Sequence, residues 1–229
     1  MHESGITEDE LVNRRFEMVR TIEAEVKDTR YYLGKDQLSA SVIKAMQEVP
    51  RHEFIGSGNQ TYAYYNEPLS IGHGQTISQP YIVAIMSDLI APEKTHRVLD
   101  IGTGSGYQAA VLSRLVETVY SVEIIEALSQ NAAECFTKLS YDNIHLKVGD
   151  GRQGWLEHAP YDGIVVAAAT TYIPVALTQQ LKPGGKLILP LGSTYHTQEL
   201  VLVEKGPDET LSTRNILPVA FVPLVGDSE

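Results

Sequence analysis

Cysteine is nearly absent from this chain of 229 residues: Cys135 stands alone and has no internal partner for a disulfide. A disulfide scaffold is therefore excluded, and a reducing cytoplasm is the expected setting. On a helical segment, Cys135 reads as a small apolar residue. Positive charge is also short, with 18 Lys and Arg against 29 Asp and Glu and a formal net charge of −11. That balance excludes binding driven by phosphate neutralisation, so neither nucleic acid nor an anionic membrane surface is an expected partner. Long apolar runs are missing as well. Ile164 to Ala169 is among the longest, far short of the ~18 residues that span a bilayer. The N-terminus, MHESGITEDEL, lacks the cationic start and apolar stretch of a secretory signal, so export is not expected. Nor do the seven histidines show ligand spacing: His52-Glu53 would need a second histidine where Gly56 stands. No metal site is expected.

What is present is a core-forming composition, 43% hydrophobic and 21% charged, sized for one larger domain or one domain with an extension. No repeat, low-complexity tract or Gly/Ser linker divides it, but its character changes near residue 95. Thr7 and Glu10 form a capping box for a helix reaching about Val26; Leu38, Val42, Ala45 and Val49 share one helical stripe, which Pro50 ends. Residues 51–79 are loop-rich, and long loops in compact domains are often functional. Ile82, Ile85, Met86 and Leu89 mark a helix entered at Pro80. From residue 96 strands and helices alternate: strands 97–101, 118–124, 144–148, 161–169 and 185–191, with helices 107–116, 125–139 and about 175–181. Nearly continuous apolar strands in βα order predict an α/β fold, a doubly wound and mostly parallel sheet. Segments 199–205 and 219–225 have no helix between them and predict an antiparallel edge. The expected layout is one structural unit, with residues 1–79 as a helical, loop-rich extension and 80–229 carrying the sheet.

The sharpest local signal is Asp100-Ile101-Gly102-Thr103-Gly104-Ser105-Gly106, which follows a strand and opens a helix. There, glycines let backbone N–H groups and a helix N-terminus approach a ligand. The spacing is G-x-G-x-G, with Tyr107 where a dinucleotide fingerprint has its last glycine, and Asp100 would repel a pyrophosphate. An acid there suits an ammonium or sulfonium, met directly or through water. Glu123 closes the next strand, 21 residues after Gly102, where it can accept from ribose hydroxyls. Asp150, ahead of Gly151, closes the third and can accept from an adenine amino group. Each acid alone could be a helix cap or a turn residue. Together they describe a site for S-adenosylmethionine.

At this point the chain resembles the protein-L-isoaspartate O-methyltransferases over roughly residues 36–225. The resemblance rests on Val49-Pro50-Arg51-His52 with Phe54, on Pro68 to Pro80 (PLSIGHGQTISQP), on Val98 to Tyr107, and on Gly149-Asp150-Gly151. It also rests on Gln180 to Gly185 (QLKPGG) and Phe221-Val222-Pro223-Leu224. The GQTISQP stretch is the family-specific part. The resemblance implies the class I S-adenosylmethionine-dependent methyltransferase fold and methylation of the free carboxyl group of L-isoaspartyl residues in damaged proteins and peptides. D-aspartyl residues are a further acceptor, and S-adenosyl-L-homocysteine is the product. It also implies that Ser78 is the active-site serine, that Gln75 and Thr76 lie against the cofactor, and that the Gly102, Thr103, Gly104, Ser105, Gly106 loop and Gly151 join them. From the residues alone, Ser78 or Gln79 could equally cap the helix entered at Pro80. Two positions depart from the family: Thr170-Thr171 follow the paired alanines where a proline is common, and Ala220 stands where many members carry arginine. Residues 1–30 lie outside the resemblance and have no assigned role of their own, while residues 1–79 as a whole are expected to cover the acceptor side.

The implied chemistry matches the missing groups. A carboxylate, with an ordinary pKa near ~3.9, is ionised at neutral pH and needs no general base. Ser78 has no paired base or nucleophile elbow around it, so its expected part is a hydrogen bond to the acceptor carboxylate or the cofactor. A small-molecule hydroxyl acceptor would need a base, and His73 is the only candidate in that loop. A nicotinamide-dependent oxidoreductase is disfavoured by the glycine spacing; a non-catalytic peptide-binding adaptor is disfavoured by the intact site residues.

Overall fold

The computed structural model describes residues 6–56, 60–193 and 196–226; the first five residues of the polar N-terminus lie outside them. The capping box forms as expected. Glu10 N–H donates to the Thr7 hydroxyl at 3.3 Å and Thr7 N–H donates to the Glu10 carboxylate at 3.0 Å, opening α1 (Glu8–Asp28). A short turn, α2 (Arg30–Leu33), follows, and Ser39 caps α3 (Ala40–Glu48). Helix α4 (Pro80–Leu89) has its proline in the first turn and all ten residues buried. A helix apolar all round belongs inside, and α1 and α3 pack over α4. Each isoleucine or leucine sunk this way contributes about 1.5–3 kcal/mol.

The loop-rich stretch holds structure that the sequence reading missed. Strands β1 (Leu69–Gly72) and β2 (Gln75–Ile77) pair antiparallel around Gly72-His73-Gly74, whose φ values of 85°, 53° and 71° are all positive. Ahead of this hairpin, the buried Arg51 donates from Nε to the Ala63 carbonyl at 2.8 Å and from Nη2 to the Glu67 carbonyl at 3.2 Å. Burial pulls its pKa down to about 10. One guanidinium thus fastens the loop that leads into β1.

The main sheet contains β3 (Arg97–Ile101), β4 (Thr118–Glu123), β5 (Ile144–Val148), β6 (Tyr161–Val166), β7 (Leu181–Leu191), β8 (Gln198–Lys205) and β9 (Leu211–Val219) in the order β5-β4-β3-β6-β7-β8-β9. The first five pair in parallel, and β7-β8-β9 run antiparallel. Helices α5 (Tyr107–Ser113) and α6 (Glu126–Lys138) join α1, α3 and α4 over one face, where Val98, Val119 and Val165 point. Leu99, Ile101 and Ile164 point to the other face, with Leu177 of α7 (Val175–Gln179).

The antiparallel edge is found, but its last strand is β9 rather than 219–225. Residues 211–215 are exposed, as an outer strand permits, so they lack the apolar alternation that marks a half-buried strand. Beyond Val219 the chain leaves the sheet, held by the Gln198 side chain of β8 to the Phe221 backbone at 2.6 and 3.0 Å and by an isolated bridge from Pro223 to Ala169. Strand β6 also stops at Val166, freeing Ala167 to Ala169 as a loop, and β7 begins at Leu181, ahead of the expected 185.

Candidate active site

The glycine loop sits at the carboxyl end of β3, where it folds back against β4. Gly102 N–H bonds the Val122 carbonyl at 2.9 Å, and Gly102, Gly104 and Gly106 all have positive φ (85°, 53° and 89°). Glu123, the last residue of β4, accepts from Gly104 N–H at 2.8 Å through one oxygen and from Ile125 N–H at 2.9 Å through the other. The carboxylate therefore sets the loop's shape while facing the cavity the loop borders. Behind it, Thr103 donates to Ser121 at 2.6 Å and Ser121 donates to Asp100 Oδ2 at 2.7 Å. Asp100 is fully buried, and its Oδ1 has no hydrogen-bond partner among the described residues. Burial pushes its pKa up to about 7, against the Ser121 hydrogen bond and with the help of the nearby Glu123 charge.

Nine of the twelve expected site residues line one cavity: Gln75, Thr76 and Ser78 from the hairpin side, Gly102, Thr103, Gly104 and Ser105 from the loop, and Glu123 and Gly151 from the following strand ends. Three do not. Asp100 lies behind the loop, so only a bridging group could connect it with a ligand. Asp150 is turned to Arg152, whose Nη2 lies 3.0 Å from Oδ2, and its Oδ1 accepts Arg152 N–H at 2.9 Å. Gly106 is set back against α6: a Cβ there would come within 2.7 Å of the Phe136 ring. Its glycine serves helix packing and positive φ.

A second cavity opens beside the first. Thr76, Ser78, Ala167 and Val222 line both, and the second continues to Glu25 of α1, Thr29 at its C-cap, Pro68, and residues 217–222. Gln79 holds the N-cap position of α4 without a side-chain capping bond, and Ser78 does not cap it. The Ser78 hydroxyl is half-buried and has no hydrogen-bond partner among the described residues. Ala220, one of the departures from the family pattern, lies on this second cavity; Thr170 is buried and bonds the Tyr172 carbonyl at 3.0 Å, off both cavities. His73 is exposed at the hairpin tip and lines neither.

The sequence reading set residues 1–79 over the acceptor side without singling out Glu25 or Thr29, and it missed the tail, Val222 to Val225, which closes the first cavity. The tail had a signal, the Phe-Val-Pro-Leu segment; α1 had none, because Glu25 and Thr29 read as ordinary residues of an amphipathic helix. Among the described residues, no three His, Cys, Asp or Glu come together as metal ligands, and no helix is long and apolar enough to cross a membrane. Cys135 donates to the Glu53 carbonyl at 3.5 Å, and burial pushes its thiol up to about 11, so it is unreactive.

A sequence model described as protein-L-isoaspartate(D-aspartate) O-methyltransferase matches residues 27–229. Protein-L-isoaspartate O-methyltransferase 2 of Syntrophobacter fumaroxidans is 53% identical over 97% of this chain and 90% of its own length. The enzyme of the same name from a Polaromonas species is 54% identical over 91% of this chain and 99% of its own. The first of these matches spans most of α1 as well, further toward the N-terminus than the motif resemblance reached. A solved structure named protein-L-isoaspartate O-methyltransferase superimposes with a TM-score of 0.81 at 30% identity, over 93% of this chain and 66% of that one. Motifs, fold and relatives agree, and the chain belongs to the protein-L-isoaspartate(D-aspartate) O-methyltransferase family.

Proposed function

We propose that this protein methylates the free carboxyl group of L-isoaspartyl residues in damaged proteins and peptides, with D-aspartyl residues as a further acceptor. The observation that carries the reading is the wall shared by the two cavities, with the Ser78 hydroxyl on it. The first cavity has the donor set for S-adenosylmethionine. Glu123 keeps acceptor capacity for ribose hydroxyls beyond its two backbone bonds, and Gln75 and Thr76 border the same space, while Asp150 would have to turn from Arg152 to join them. The orphaned Asp100 Oδ1 calls for a donor or a cation relayed across the loop. Bound there, S-adenosylmethionine supplies a methyl group on a sulfonium and leaves as S-adenosyl-L-homocysteine.

The second cavity takes the acceptor. An ionised carboxylate needs orientation and exclusion of water more than proton transfer. Ser78 supplies orientation by donating its hydroxyl to one carboxylate oxygen, leaving the other to receive the methyl group. His73 is exposed and lines neither cavity, which disfavours it as the base that a hydroxyl acceptor would require. Residues 1–79 act as the acceptor-side cover and 80–229 as the cofactor-binding sheet of one structural unit. The single cysteine suits a cytoplasmic setting.

The deciding assay offers a labelled methyl donor with two peptides identical except for isoaspartyl or aspartyl at one position. Base-labile methyl ester on the isoaspartyl peptide alone is expected. No label on either overturns the reading, and equal label on both replaces it with an unselective carboxyl methyltransferase.

A further inference from the structure

Among the described residues lining the second cavity, the one charged side chain has the same sign as the carboxylate methylated there. Glu25, in the last turn of α1, faces that cavity half-buried. Its Oε2 accepts from Asn66 Nδ2 at 2.5 Å and its Oε1 accepts from Gln79 Nε2 at 3.5 Å, the latter at the limit of a hydrogen bond. Asn66 in turn accepts from Tyr81 N–H at 2.9 Å, and the Tyr81 hydroxyl meets Thr29 at 2.6 Å. The network holds Glu25 in place against the start of α4, next to Ser78.

A carboxylate offers about four acceptor positions, and only two of these are used. A glutamine would keep the Asn66 bond through its oxygen but would need the Gln79 amide turned over to keep the longer one; what only the carboxylate adds is charge. A partly buried anion beside the binding place of another anion disfavours the complex unless the acceptor chain brings a cation to offset it. The rest of the lining cannot sort acceptors by charge, because it is hydroxyl, amide and apolar: Thr29, Pro68, Gln79, Ile82, Leu217 and Phe221.

We infer that Glu25 is a specificity-determining residue: it takes the ammonium or guanidinium of a lysine or arginine flanking the isoaspartyl residue and disfavours an acidic neighbour. This rests on the acceptor role proposed above for the second cavity. The helix α1, which the sequence reading placed only within a broad acceptor-side cover, thereby reads the acceptor's local charge.

The test uses isoaspartyl peptides that differ only in the flanking residue, Lys, Gln or Glu, placed on each side in turn, with the full-length protein and its Glu25→Gln and Glu25→Asp variants. For the unaltered protein, kcat/KM should favour the Lys peptide over the Glu peptide by about five- to tenfold on one side, carried by KM rather than kcat. Glu25→Gln should bring that ratio to within about twofold of unity, and Glu25→Asp should restore part of it. The ratio between peptides, rather than the absolute rate, is the readout. No preference in the unaltered protein overturns the inference without any variant being needed. A preference that survives Glu25→Gln, in protein that still binds S-adenosyl-L-homocysteine, overturns it as well. If the Gln-flanked isoaspartyl peptide is itself unmethylated, the acceptor reading fails and takes this inference with it.

Discussion

The two cavities share a wall but are built by different means. The cofactor side is made of backbone: three glycines at positive φ, strand ends in parallel register, and a carboxylate whose two oxygens hold two loop N–H groups. The acceptor side is made of side chains from segments far apart in sequence: the end of α1, the β1-β2 hairpin and residues 217–222. Backbone geometry tolerates little substitution, whereas a wall of side chains can vary one position at a time. The proposed transfer chemistry and the proposed acceptor recognition are thus built from different materials, and Ser78 lies on the wall between them.

The largest break in this comparison should come from glycine substitutions, one packed behind the cofactor loop and one at the hairpin tip. Gly106→Ala combines a left-handed backbone with a Cβ placed 2.7 Å from Phe136, and should lower stability by about 2–4 kcal/mol in urea unfolding. Gly74→Ala, at a φ of 71° with open space around it, carries the backbone term alone and should lose about 1–2 kcal/mol. Equal losses would show that close packing does not distinguish the loop.

Ser78→Ala tests the shared wall. Steady-state kinetics should show kcat/KM on an isoaspartyl peptide falling about 10- to 100-fold, while calorimetry finds S-adenosyl-L-homocysteine binding within about twofold. Full activity would remove Ser78 from the site.

A smaller effect sharpens the cofactor side. With its pKa raised to about 7, Asp100 is mostly neutral below that pH, and a cationic ligand favours its ionised form. Affinity for S-adenosyl-L-homocysteine, through its ammonium, should therefore rise about three- to tenfold from about pH 6 to about pH 8, and Asp100→Asn should flatten the rise. Without ligand the sign for folding is opposite. The unfolded chain ionises Asp100 near 3.8 and the folded one near 7, so this carboxyl's contribution to stability falls as pH climbs between those values.

The parallel sheet, the glycine loop, the Thr7 cap and the Pro80 helix start were legible because each is a local pattern with a local cause. The hairpin was legible in principle: Gly72-His73-Gly74 is a turn signal between two short runs, hidden by so many neighbouring glycines and polar residues. Strand β9 was misplaced because an edge strand need not alternate. Gly106 was read as a cofactor contact because its φ demand and its packing against Phe136 leave the same letter in the sequence. The acceptor wall was the least legible part, since the Thr29 to Tyr81 contact closes over 52 residues and no local spacing records it.

The tail also determines when the site can exist. Val222 O accepts Ala169 N–H at 2.8 Å, and Leu224 N–H donates back to Ala169 O at 2.7 Å, so the tail lies across the end of the sheet and walls both cavities. These residues leave the ribosome after every other part of the described site. A nascent chain therefore has neither a closed cofactor cavity nor a complete acceptor wall until residues 222–225 have emerged.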